Sequence, residues 1–96
     1  MALTERQKRQ LRKLAHALKP VVIVGNAGIT DGLLQELDAT LEHHELLKVR
    51  VNAVDREARR AMVEQLCTAS RSEAVQVIGH IAVLYRPAEK PRIHLA

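Results

Sequence analysis

Apolar positions recur along this chain at two spacings, and the switch between them marks out seven elements. Thr4 and Gln7 in "TERQ" have the spacing of a helix capping box, and Leu11, Leu14, Ala15 and Leu18 follow on one helical stripe. Arg6, Arg9, Arg12, Lys13 and His16 fall on the opposite side of that helix, and Pro20 is expected to end it. "VVIV" is short, β-branched and without alternation, the pattern of an inner strand buried on both faces. After "GNAG", Thr30 caps a second helix with Leu33, Leu34, Leu37 and Leu41 inward and Gln35, Asp38 and Glu42 outward.

The period then changes to two. In "LLKVRVNA", Leu47, Val49, Val51 and Ala53 share one face while Lys48, Arg50 and Asn52 share the other, which predicts a strand with one buried and one basic side. Asp55 caps a third helix with Ala58, Ala61, Met62, Leu66 and Ala69 inward. Val63 and Cys67 lie off that stripe, which points to a further element, the first helix, packing there. "AVQVIG" and "IAVLYRP" read as two strands joined tightly through Gly79 and His80.

The predicted order is α-β-α-β-α-β-β. It gives an α+β two-layer sandwich on a mixed four-stranded sheet, with both crossover helices on one sheet face. Where the first helix docks is left open. Residues 1–87 form the expected domain and 88–96 an extended tail with Ile93 and Leu95 able to dock.

Composition limits the chemistry. The chain has 96 residues, enough for one core, and a single cysteine, Cys67, so neither an internal disulfide nor a Cys-rich zinc site holds the fold. Its apolar runs, Val21 to Val24 among them, are far too short to span a bilayer, which makes cytoplasm the expected location. No nucleophile–base signature occurs, and His43, His44 and Glu45 diverge by about 100° per residue on a helix, so neither a catalytic site nor a metal site is expected. No cofactor is expected either, and the chain is expected to be a monomer.

Charge is segregated. Residues 1–20 hold Arg6, Lys8, Arg9, Arg12, Lys13 and Lys19 against Glu5, while residues 21–45 hold five acids and no Lys or Arg. A second basic run follows in Lys48, Arg50, Arg56, Arg59 and Arg60, and the net charge of +4 points to a polyanionic partner.

"GNAG" lacks the GK[ST] of a phosphate-binding P-loop and the GxGxxG of a dinucleotide site. A tight turn and a grip on one phosphate at the start of a helix both remain open. With no Phe or Trp and one Tyr, a base-stacking platform is not available, so recognition of a nucleic acid would rest on backbone and shape. A bare GxxG loop clamping a sugar-phosphate chain is the device of KH domains, although the order of elements differs here.

Taken together, "LKPVVIVGNAGIT", "LEHHELLKVRV" and "VQVIGHIAVLYRP" resemble the CRM domain family in its small bacterial YhbY-type form, over roughly residues 4–87. The resemblance implies an RNA-binding domain similar to the C-terminal domain of a bacterial translation initiation factor. It also implies association with precursors of the large ribosomal subunit and a part in their assembly. By this match Gly25, Asn26, Ala27 and Gly28 form the RNA-contacting loop. Arg9, Arg12 and Lys13 of the first helix supply attraction, and Lys48 and Arg50 extend the patch. His80 departs from the Lys common in the family after the glycine of the last turn. Two other readings stand beside this one: a protein-interaction adaptor using its basic helix, and a translation regulator bound to mature ribosomes.

Overall fold

A computed structural model describes residues 2–96. Three helices and a mixed four-stranded sheet follow in the expected order: α1 (Glu5–Ala15), β1 (Pro20–Val24), α2 (Asp31–His44), β2 (Leu46–Val51), α3 (Arg56–Ser70), β3 (Glu73–Ile78) and β4 (Ile81–Tyr85). The strands lie in the order β1-β2-β4-β3, with β1 parallel to β2 and β4 antiparallel to both of its neighbours. β1, β2 and β3 therefore run the same way, and their C-terminal ends share one edge of the molecule.

The caps behave as their chemistry requires. The Thr4 hydroxyl accepts from the Gln7 N–H at 3.1 Å while the Gln7 side chain accepts from the Thr4 N–H at 3.0 Å, a complete capping box. Thr30 and Asp55 each satisfy one free N–H at the start of α2 and α3.

α2 and α3 cover one sheet face, burying Val22, Val24, Leu37, Leu41, Leu47, Val49, Val51, Leu66 and Leu84 between them. α1 docks on the other face, where Leu11 and Ala15 meet Leu46, Val83 and Tyr85. Its docking explains why β2 is apolar at Leu46 on the side that carries Lys48 and Arg50.

Several expectations change. β1 is an edge strand, not an inner one: Val22 and Val24 are buried, whereas Val21 and Ile23 are 52% and 58% exposed. α1 contacts β2 and β3 and leaves β1 uncovered, which accounts for the exposure. α1 also stops at Ala15, well before Pro20, so Leu14 and Leu18 remain exposed and the docking stripe narrows to Leu11 and Ala15. In α3 the inward face is Val63, Leu66 and Ser70, while Ala61 and Ala69 face solvent. α3 packs against α2 as well as the sheet, so its buried stripe is turned toward Val63, and that residue joins the main core, away from α1.

The C-terminal segment is docked along its length. Ile93 and Leu95 pack on the α1-side cluster, and Gln10 receives Ala96 N–H at 2.8 Å while donating to His94 O at 2.7 Å. The anchor is Glu45, fully buried at the C-terminus of α2 with φ 65°, a backbone region that favours glycine. Its carboxylate accepts the backbone N–H groups of Ala88, Arg92 and Ile93 at 2.8, 2.9 and 3.0 Å. Burial works to raise this carboxyl's pKa, but the three N–H groups and the Arg92 charge outweigh it and hold it below its ordinary 4.5.

Candidate nucleic-acid interface

Three connections meet at the shared C-terminal edge of β1, β2 and β3. The Asn52 N–H donates to Val24 O at 3.0 Å and the Val51 N–H donates to His80 O at 2.7 Å, lacing together the loops after β1 and β2 and the β3–β4 turn. Asn26, Asn52, Ala53, Val54 and His80 line one open depression there.

Within the first loop the Gly28 N–H donates to Gly25 O at 3.0 Å, closing a tight turn with Asn26 and Ala27 exposed at its tip. Gly28 has φ 71° and needs to be glycine for that reason alone. Gly25 does not: its φ is ordinary, and a Cβ built on it would meet nothing within 4 Å. The fold supplies no reason for the bare backbone at Gly25, and an approaching partner would. Ile29 packs against the core just beyond, and Thr30 opens α2, so the loop tip is held above a helix N-terminus.

The cations named from the sequence separate into two groups. Arg50 stands next to the loop edge, its Nε donating to Asn52 Oδ1 at 3.3 Å, and Lys48 lies two residues earlier on the same sheet face. Arg12 approaches Lys48 across a cavity of about 220 Å³ between α1 and the sheet. Arg12, Lys48, Arg50 and the glycine loop thus follow one open face. Arg9 and Lys13 lie elsewhere, with Arg6, around the C-terminal Ala96 on the other flank of α1.

The second basic run is likewise divided. Arg56, Arg59 and Arg60 border the β3–β4 hairpin near Val77 and Gly79, across the sheet from Lys48 and Arg50. Arg59 Nη1 lies 3.4 Å from His80 Nδ1, which also lies 3.3 Å from Val51 O. These contacts ask opposite things of Nδ1, since the guanidinium needs its lone pair and the carbonyl needs its proton. The closeness of Arg59 to His80 is a feature the sequence reading missed. The signal was the two-residue turn, which returns His80 to the end of β2.

On the far side, the acids of α2 are partly spoken for. Arg86 donates to Asp38 Oδ1 at 2.6 Å and to Ser70 O at 2.8 Å, and lies 3.5 Å from Glu42. Arg92 donates to the carbonyls of Glu42 and His43. The negative face opposite the basic one is therefore weaker than the residue count alone implies.

A family model for the CRS1/YhbY (CRM) domain matches residues 3–86. The chain belongs to the CRM domain family. It is 47% identical over its whole length to the "Probable RNA-binding protein PA4753" of Pseudomonas aeruginosa, covering 92% of that protein. It is 45% identical over 97% of its length to an "RNA-binding protein" of Haemophilus influenzae, covering 94% of that protein. Among solved structures, that of SAV1595 from Staphylococcus aureus is similar at a TM-score of 0.86 with 41% identity, over 99% of this chain and 100% of the other. These relatives carry names for binding RNA and none for catalysis.

Among the described residues no group of His, Cys, Asp and Glu could hold a metal ion, and no helix is long and apolar enough to cross a membrane. Cys67 is half-buried, and burial pushes its thiol pKa up, away from the reactive thiolate.

Proposed function

We propose that this CRM domain binds RNA without catalysis, with the Gly25–Gly28 loop against the sugar-phosphate backbone and Arg12, Lys48 and Arg50 along the adjoining strand. The observation that carries this reading is the bare backbone at Gly25, which the fold does not need, at the start of an exposed loop whose edge carries Arg50. The names of the relatives supply the polyanion. Arg9 and Lys13 contribute long-range attraction from the flank of α1, not contacts continuous with the loop.

The target is the RNA of precursor large ribosomal subunits, whose assembly the protein assists as a cytoplasmic monomer; the family resemblance supports this finer assignment. Residues 1–87 are the RNA-binding domain, and residues 88–96 brace α1. Beyond the N-terminus of α2, which faces the loop, Glu36 is the acid not engaged by Arg86, and the acidic side of the helix is turned away from RNA and helps orient the domain.

The deciding experiment changes Asn26→Asp together with Ala27→Asp, placing negative charge at the tip while both glycines stay. Binding to precursor large-subunit RNA falls sharply with folding unchanged; unchanged binding defeats the loop reading. Sedimentation with ribosomal fractions tests the target, since presence only on mature, translating ribosomes would favour a translation regulator.

A further inference from the structure

The cavity between α1 and the open sheet face carries chemistry that backbone binding does not use. Its floor is aliphatic, with Ile78 and Ile81 from the β3–β4 hairpin. Arg12 and His16 overhang it from α1, and Lys48 closes one side. Gln76 is half-buried at the wall, yet among the described residues its amide makes no hydrogen bond. Among the described residues neither Arg12 nor Lys48 meets a carboxylate, and no acidic side chain lines the cavity. Ile78 pairs with Ile81 across the hairpin yet is 64% exposed, leaving most of its apolar surface open beside these cations.

We propose that this cavity receives one unpaired nucleotide of the bound RNA, with the base against the aliphatic floor and under the Arg12 guanidinium. Gln76 meets the polar edge of the base and Lys48 its phosphate. The proposal rests on the RNA reading above and adds what kind of RNA is bound. Each part of a nucleotide finds its match. The base offers a flat apolar face with donors and acceptors at its rim, and a guanidinium plane stacks on such a face where aromatic side chains are absent. A volume of about 220 Å³ is below the roughly 300–1,000 Å³ of sites that enclose drug-sized ligands, and so suits one ring system, not a longer stacked run. Bases inside a duplex cannot reach the floor. An RNA with an unpaired loop or bulge can place a base there while the neighbouring backbone runs along Arg50 to the glycine loop.

The test measures anisotropy of two labelled RNAs, a stem capped by a single-stranded loop and the same stem as a continuous duplex. The proteins are the natural chain, Gln76→Ala, Ile78→Ala and the Asn26→Asp/Ala27→Asp pair. Ile78 is exposed, so its truncation leaves the fold intact even if Gln76→Ala perturbs β3; urea midpoints verify both. Gln76→Ala and Ile78→Ala weaken binding of the looped RNA by about fivefold or more, the scale of one lost polar or apolar contact, and leave duplex binding and the salt dependence alone. The methyl resonances of Ile78 and Ile81 shift with looped RNA and not with duplex. Looped-RNA affinity unchanged in both variants, or lost equally for loop and duplex, overturns the nucleotide site while the loop reading survives. A natural chain that binds neither RNA overturns the RNA-binding reading and this site with it, whereas a doubly Asp-substituted chain that binds both normally overturns the loop reading alone.

Discussion

The Glu45 carboxylate accepts the backbone N–H of Ile93, 48 residues further along the chain, from a position with no exposure to solvent. The same two oxygens hold Ala88 and Arg92, so one buried charge fixes the direction in which the C-terminal segment leaves β4 and returns to α1. A carboxylate suits this task because it only accepts, and three N–H donors face it.

Glu45→Gln replaces one acceptor oxygen with an NH₂ that faces a backbone donor, and costs about 2 kcal/mol of stability or more. The pH dependence follows from the lowered pKa. The folded carboxyl titrates below the ordinary 4.5, so its stabilisation is fully present above that pH and is lost as pH falls through the folded value. Urea denaturation across the acid range should show the natural chain weakening below about pH 4.5, and the Gln variant weakening less over the same interval. Parallel curves would contradict the assignment.

The two glycines of the loop part company under substitution. Gly28→Ala forces a Cβ onto φ 71° and costs roughly 1 kcal/mol of stability. Gly25→Ala meets no atom within 4 Å and shifts stability by less than about 0.5 kcal/mol, yet it should weaken RNA binding because the new methyl stands where the backbone approaches. Thermal melts paired with RNA titrations separate the effects. A Gly25→Ala chain with normal affinity would return that glycine to a plain turn.

Strand and helix identities were legible because local signals agree with the fold: the Thr4, Thr30 and Asp55 caps, the alternation from Leu47 to Val51, and the turn at Gly79 all act within a few residues. What was not legible depends on which element covers which. "VVIV" has the composition of a buried strand, but burial of Val21 and Ile23 would need α1 to reach β1, and α1 lies over β2 and β3 instead. The same docking sends Arg12 toward Lys48 and leaves Arg9 and Lys13 by Ala96, a division no helical wheel contains. Glu45 read as one of three adjacent polar residues at a helix end, because its partners lie more than forty positions away.

That division of the cations has a measurable consequence in salt. Each phosphate neutralised on single-stranded RNA contributes about 0.7 to the slope of log K against log salt. Lys48→Ala and Arg50→Ala together should flatten the slope by about 1.4. Arg9→Ala with Lys13→Ala should lower affinity at low salt while flattening the slope by less than about 1, since these side chains act from a distance. Equal slope changes per cation in the two groups would mean that RNA wraps both flanks of α1.

Removal of residues 88–96 tests whether the tail is a brace or a passenger. The deletion takes away the three N–H donors of Glu45 and the apolar cover that Ile93 and Leu95 place on the α1-side cluster, so stability falls and α1 loosens on the sheet. In the shortened chain the Glu45 side chain regains water and has nothing left to hold. Glu45→Gln should therefore cost close to nothing there, against about 2 kcal/mol in the full chain, a coupling of the size expected for groups in direct contact. Equal costs in the two backgrounds would mean that Glu45 stabilises the end of α2 itself, where it sits at φ 65°, and not the return of the chain to α1.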